Sequence, residues 1–254
     1  MYFQTMAHVT NHSKEIETTL ARFALNTDKT KASKLQKYIG TQLKTHGLTS
    51  AVQNQIHKVG FSFYSDNYEE TFKYYSDIYV KSKCFEEKNL AFIYLDKNYK
   101  HINSSLLLQI LPTWVTSVDN WAHSDSLSKF LTRLLEDPSN QKDILKIIKQ
   151  WNCSPNLWER RQSLVSLYYY TRTKKKCVDY KTSEKLISNL LSDKEYYVQK
   201  AVGWALRESF NAYPNETFIF IEASIRNISS TAFTTCIEKM TSNQKEILKA
   251  KRKK

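Results

Sequence analysis

Aromatic residues recur along the middle of this chain at a period that few architectures share. Phe85, Trp121, Trp158 and Tyr197 stand at intervals of 36, 37 and 39 residues. Each opens a segment whose apolar positions repeat with helical spacing, as in Leu127, Phe130, Leu131, Leu134 and Leu135, or Leu186, Ile187, Leu190 and Leu191. This is the repeat length of HEAT-like helical pairs, in which each pair buries its apolar face against the next. The register holds inside the units. Nine residues after each aromatic come Tyr94, Phe130, Leu167 and Leu206, on a neighbouring face of the same helix. The sequence therefore predicts an all-α fold, a HEAT-like helical-repeat solenoid curved so that one helix of each pair lines a concave groove.

Turn chemistry agrees. Four glycines and four prolines in 254 residues leave too few turn signals for an all-β fold. Pro112, Pro138, Pro155 and Pro214 are expected between helices or at their edges, where a missing N–H costs little. Residues 1–6 (Met1-Tyr2-Phe3-Gln4-Thr5-Met6) resemble a protease-site remnant ahead of a natural start at Met6 and are set aside. Residues 7–248 read as a single repeat domain, and 249–254, Lys249-Ala250-Lys251-Arg252-Lys253-Lys254, as a solvated basic tail.

Charge narrows the partner. Lys and Arg number 38 against 25 Asp and Glu, a formal charge of +13, and such an excess favours polyanions through phosphate neutralisation and counterion release. Cys84, Cys153, Cys177 and Cys236 are scattered without zinc-ligand spacing, so no metal site is expected. No apolar run reaches the roughly 18 residues of a membrane span, and the expectation is a cytoplasmic protein with no membrane partner. The run Tyr168-Tyr169-Tyr170, with Arg172 and Lys174 to Lys176 after it, reads as packing followed by a basic loop.

The positions just inside each opening aromatic are the natural places for function. Lys88, Arg161 and Lys200 stand three residues on, Asp125 four and Trp204 seven. Trp121 and Asp125 are four apart, so an indole and a carboxylate share one helix face. Trp114 with Asp119 is a competing pair, but a separation of five splays the two side chains. Gly203, inside a helix, costs about 1 kcal/mol relative to Ala and marks a close approach, by a neighbouring helix or by DNA. For each residue alone a bland reading is available. Trp121 reads as core, Asp125 as a solvated carboxylate, and Arg161 and Arg207 as partners of Glu159 or Glu208. His123, between Trp121 and Asp125, projects to another face.

Taken together, five stretches resemble the DNA alkylation repair enzyme family, the AlkD-like glycosylases. They are Tyr38 with Gly47, Tyr99-Lys100-His101-Ile102, Trp121 to Asp125, Asn156 to Arg161, and Gln199 to Glu208. The resemblance implies that Asp125 is the catalytic carboxylate and that Trp121 and Trp204 are indoles lining the cleft around the damaged nucleotide. It places Tyr38 in the same cleft and makes Arg161 a DNA contact; Lys88 and Lys200, from their place in the repeat, and the nearby Arg207 are expected to hold phosphates as well. The implied reaction is hydrolysis of the N-glycosidic bond of 3-methyladenine or 7-methylguanine in duplex DNA. No cofactor is implied, and the expected state is a monomer in a bacterial cytoplasm, associated with the nucleoid through DNA. Two other classes compete: a paralogue that binds DNA without excising anything, and a protein-binding HEAT scaffold, which has no need of a charge of +13.

Overall fold

The computed structural model describes residues 2–25, 27–168 and 178–253. Among them are fourteen α-helices and no strand, so the all-α helical-repeat expectation holds. The chain divides into two compact units, Met1–Leu127 and Ser128–Lys254.

The first unit contains α1 (Tyr2–Ala24), α2 (Lys29–Ile39), α3 (Ser50–Val59), α4 (Tyr68–Lys81), α5 (Phe85–Asn98) and α6 (Ser104–Trp114), and α7 (Trp121–Glu136) begins in it. The first helix thus starts inside the segment set aside as a remnant. Short polar side chains start several of these helices by accepting otherwise unpaired backbone N–H groups. Thr49 accepts from Val52, Asn67 from Glu69 and Glu70, and Asn103 from Ser105. Helix α5 is enclosed on nearly every side, with Phe85, Leu90, Ala91, Phe92, Tyr94 and Leu95 all buried. It packs on α3 and α4. The core here is aromatic: Trp114 is fully buried and stacks on Tyr79 with centroids 4.1 Å apart. Pro112 departs from the expectation, lying inside the last turn of α6, where its missing N–H removes one intrahelical bond. Gly47 holds φ at +70°, and an added Cβ would meet the Ala32 backbone nitrogen at 2.7 Å. Only glycine suits both conditions.

The second unit contains α8 (Gln141–Trp151), α9 (Leu157–Val165), α10 (Tyr180–Asn189), α11 (Tyr196–Ala212), α12 (Pro214–Ala223), α13 (Ser230–Cys236) and α14 (Ser242–Lys253). Helix α11 is its centre, packed on α9, α12 and α13. All four periodic aromatics open a helix. Phe85 and Trp121 are the first residues of α5 and α7, and Trp158 and Tyr197 the second residues of α9 and α11. The partners nine residues on, Tyr94, Phe130, Leu167 and Leu206, are all buried. The basic run following Tyr168 lies outside the described residues, as does Cys177, while Tyr168 itself is buried.

Gly203 is explained by a neighbouring helix. A Cβ at this position would stand 2.5 Å from the Ala232 carbonyl oxygen and 2.8 Å from its Cα, so α11 and α13 touch backbone to backbone. Gly203→Ala gains about 1 kcal/mol of helix propensity but forces two packed helices apart, which costs about 1–3 kcal/mol or more. The net expectation is destabilisation, read as a lower urea midpoint. A midpoint at or above that of the parent protein would mean that the two helices separate freely.

Candidate active site

Helix α7 starts at Trp121 because Asn120 caps it. Its Oδ1 accepts from the His123 backbone N–H at 2.9 Å, closing the first turn. Asp119, the residue before, is tied to another part of the same unit. Its Oδ2 accepts from Thr41 Oγ1 at 2.6 Å and from the Gln42 backbone N–H at 2.9 Å, and its Oδ1 from Asn120 Nδ2 at 2.7 Å. The carboxylate thereby fastens the end of α2 to the start of α7.

That tie sets the environment of Trp121. Its indole packs on the small apolar cluster of Ile39, Leu43 and Phe85, and its Nε1–H donates to the Tyr38 carbonyl at 3.3 Å. The Tyr38 ring meets it edge to face, with centroids 5.5 Å apart and planes at 85°. Tyr38 is 72% exposed, unusual for an aromatic anchored at its backbone, and a flat face turned to solvent is available to a ligand.

Along α7 the half-exposed positions are Trp121, Ala122, Asp125, Ser126, Lys129 and Arg133, while His123, Ser124, Leu127 and Ser128 are buried. Trp121 and Asp125 therefore lie one turn apart on the same open stripe. The competing pair does not assemble at the surface, because Trp114 is core and donates its Nε1–H to Ser76 Oγ at 2.9 Å, while Asp119 is occupied by the Thr41 segment.

Beneath the stripe, His123 does project to another face, as expected. It is fully buried and stacks on Phe85 at 4.5 Å, with Nδ1 3.0 Å from Asn120 Nδ2. Burial, reinforced by the nearby Lys88 charge, pushes its pKa down to about 3. An imidazole that stays neutral in the fold but charges when unfolded contributes stability that is complete above pH 6.5 and declines as pH falls toward the folded pKa. His123→Phe keeps the stack and removes the titration. Between pH 7 and 4.5 the parent should lose about 2–3 kcal/mol more stability than the variant in urea unfolding. Equal losses would show that this imidazole does not govern the acid limb.

Several expected DNA contacts lie elsewhere than anticipated. Lys88 is a correction: it is 2% exposed, so its amino group is not presented to a phosphate. It donates to the carbonyls of Tyr79 and Ser117 and lies 4.5 Å from the centre of the Tyr79 ring. Burial lowers its pKa to about 8. It locks α4 and the segment before α7 onto α5.

In the second unit Arg161 is also buried and donates Nη1 to the Tyr197 carbonyl at 2.8 Å. The neighbouring Arg160 pairs with Asp193 at 2.6 Å, and Asn156 caps α9 through the Trp158 N–H. Arg207 is bound to Glu208 at 2.9 Å and Glu238 at 2.7 Å, the ion-pair reading raised for it. Lys200 is exposed and Trp204 half-exposed. With Tyr197, Arg207 and Asn211 they form the open stripe of α11. What sequence reasoning missed is the role of Asp119, weighed only as a partner of Trp114, in tying the start of α7 to Thr41 and Gln42.

The geometry defines an all-helical repeat protein with two open helix stripes, one carrying an indole with a carboxylate and the other an indole with a lysine. A family model described as DNA alkylation repair enzyme matches residues 19–240, and the chain belongs to that family. Among solved structures it is similar to one described as a predicted DNA alkylation repair enzyme from Enterococcus faecalis, with a TM-score of 0.68 and 17% identity. The match covers 85% of this chain and 97% of that one, and at this identity it speaks for the fold. No curated protein matches. No described helix is long and apolar enough to cross a membrane.

Proposed function

We propose that this protein is a DNA glycosylase that hydrolyses the N-glycosidic bond of cationic alkylated purines, 3-methyladenine and 7-methylguanine, in duplex DNA. The observation that carries the reading is the open stripe of α7, where the Trp121 indole and the Asp125 carboxylate share one face beside the exposed Tyr38 ring. A purine alkylated at N3 or N7 already carries positive charge. When its bond to C1′ breaks, the electron pair leaves with the base and neutralises it, while cationic character develops on the sugar. Water then adds to C1′ and releases a proton.

Such a reaction asks the protein for a fixed negative charge facing the sugar, which Asp125 supplies, and for faces that favour cations, which the indoles supply. Trp204 keeps the role that the family resemblance assigns it, an indole against the lesion nucleotide. Lys200 is assigned to phosphates. Arg161 and Arg207, held by Tyr197 and by Glu208 and Glu238, act by setting the shape of α11's surroundings; a phosphate contact by Arg207 would compete with its carboxylates.

The test is base release. Duplex DNA methylated at purine nitrogens is incubated with the protein and the supernatant is analysed by mass spectrometry. Free 3-methyladenine and 7-methylguanine are expected, leaving abasic sites in the duplex. Tight binding without released base would favour the non-excising alternative.

A further inference from the structure

In the second unit a cleft of about 440 Å³ opens between the end of α8 and one face of α10 along its length. Lys149, Lys181 and Lys185 line it, together with Thr182, Asn189 and Cys153, and among the described residues no carboxylate does. Lys181 and Lys185 stand one turn apart on α10, so the helix carries like charges at a spacing that repels. Lys149 adds a third from the facing helix.

Elsewhere in this unit Arg160 pairs with Asp193, Arg207 with Glu208 and Lys251 with Glu222. The larger cleft of the first unit, about 530 Å³, is different in kind. Its lysines are interleaved with Glu17 and Glu87, and Lys44 lies 3.9 Å from Glu17. Two glutamates thus offset part of the charge of that cleft's four lysines, and no carboxylate lines the α8–α10 cleft.

The α8–α10 cleft is also held in shape by hydrogen bonds between its walls. Asn152, 2% exposed, donates Nδ2 to the Leu186 carbonyl at 3.1 Å and to Ser163 Oγ at 2.9 Å. Its Oδ1 accepts from Asn189 Nδ2 at 2.9 Å. These bonds join α8 to both α9 and α10, so the lysines converge on a preformed hollow and not on a flexible surface. Helix α8 packs on α9, and α10 on α9 and α11, and neither Lys200 nor Trp204 lines the cleft. The cleft therefore does not share the open stripe that carries Lys200 and Trp204.

We propose that this cleft is a binding site for phosphate groups, separate from the proposed excision site and independent of it. Three ammonium groups, with the second N–H of the Asn189 amide, offer donors to an anion with several acceptor oxygens, and the volume suits a phosphate-bearing compound or a short stretch of phosphodiester.

Cys153, exposed at the cleft, serves as a reporter. The rate of its alkylation by neutral iodoacetamide is followed by peptide mass spectrometry on the full chain, with inorganic pyrophosphate or with chloride at equal ionic strength. Millimolar pyrophosphate should slow the reaction at least about threefold by occupying the cleft. The exposed-residue triple variant Lys149→Gln, Lys181→Gln, Lys185→Gln, checked by circular dichroism, should lose that protection. An undamaged duplex in a parallel arm separates the two sources of phosphate. Protection by duplex that the triple variant also loses assigns the cleft to a nucleic acid backbone, and protection by pyrophosphate alone assigns it to a free phosphate compound. No slowing by either, or slowing that persists in the triple variant, overturns the proposal.

Discussion

Asp125→Asn is expected to lower single-turnover release of 7-methylguanine by about 10²–10³-fold, the cost of removing one preorganised electrostatic contact to a transition state. A full charge about 4 Å from the developing cation is worth about 4 kcal/mol at the effective dielectric near a protein surface. The amide keeps a dipole and the same shape, so part of that is retained. Asp125 is half-exposed on α7, and the amide preserves its size and shape. The variant should therefore melt with the parent and bind duplex DNA within about twofold, since phosphate contacts set affinity. Undiminished release would remove Asp125 from the mechanism. Loss of helical signal together with activity would show a structural role, and Asp125→Glu then becomes informative, because a carboxylate one methylene longer rescues a charge effect better than a packing effect.

Much of the fold was legible because a repeated aromatic has one physical job here. Phe85, Trp121, Trp158 and Tyr197 each fill the first turn of a helix, and that demand leaves a period in the sequence whatever the surface does. The pairing of Trp121 with Asp125 was legible for the same reason: a spacing of four on a helix is geometry.

What the period does not carry is phase relative to solvent. Lys88 and Arg161 sit at corresponding places and both turn inward. A long aliphatic stem can be buried when its head finds carbonyl oxygens, as Lys88 does at Tyr79 and Ser117 and Arg161 at Tyr197. At the start of α5, where residues 85–88 are all buried, a cation turns inward. Lys200 faces outward because α11 keeps one stripe open. The role of Asp119 was illegible for a different reason. Its partners, Thr41 and Gln42, are nearly 80 residues away in sequence, and only the fold brings them together.

The choice of lesion should follow charge more than size. Release of 3-methyladenine and 7-methylguanine is expected to exceed that of hypoxanthine or uracil by about 10³-fold or more, because the neutral bases need a proton from a general acid as they leave. The first two turns of α7 offer Asp125 as their one carboxylate, and a residue serving as the anion that faces the sugar cannot also be the acid that protonates the base. His123 is no substitute: it is fully buried, and its pKa near 3 leaves it neutral at physiological pH. Size enters through the aromatics. Tyr38, anchored by its backbone and 72% exposed, presents a face and not an enclosing wall, so a bulky cationic adduct at N3 or N7 should leave nearly as fast as a methylated base. Three duplexes, carrying a small cationic, a bulky cationic and a neutral lesion, distinguish the cases under single-turnover conditions. Efficient hypoxanthine release would refute dependence on the lesion's own charge. Failure with the bulky adduct alone would mean that a closed pocket grips the base, and the aromatics would then be its walls.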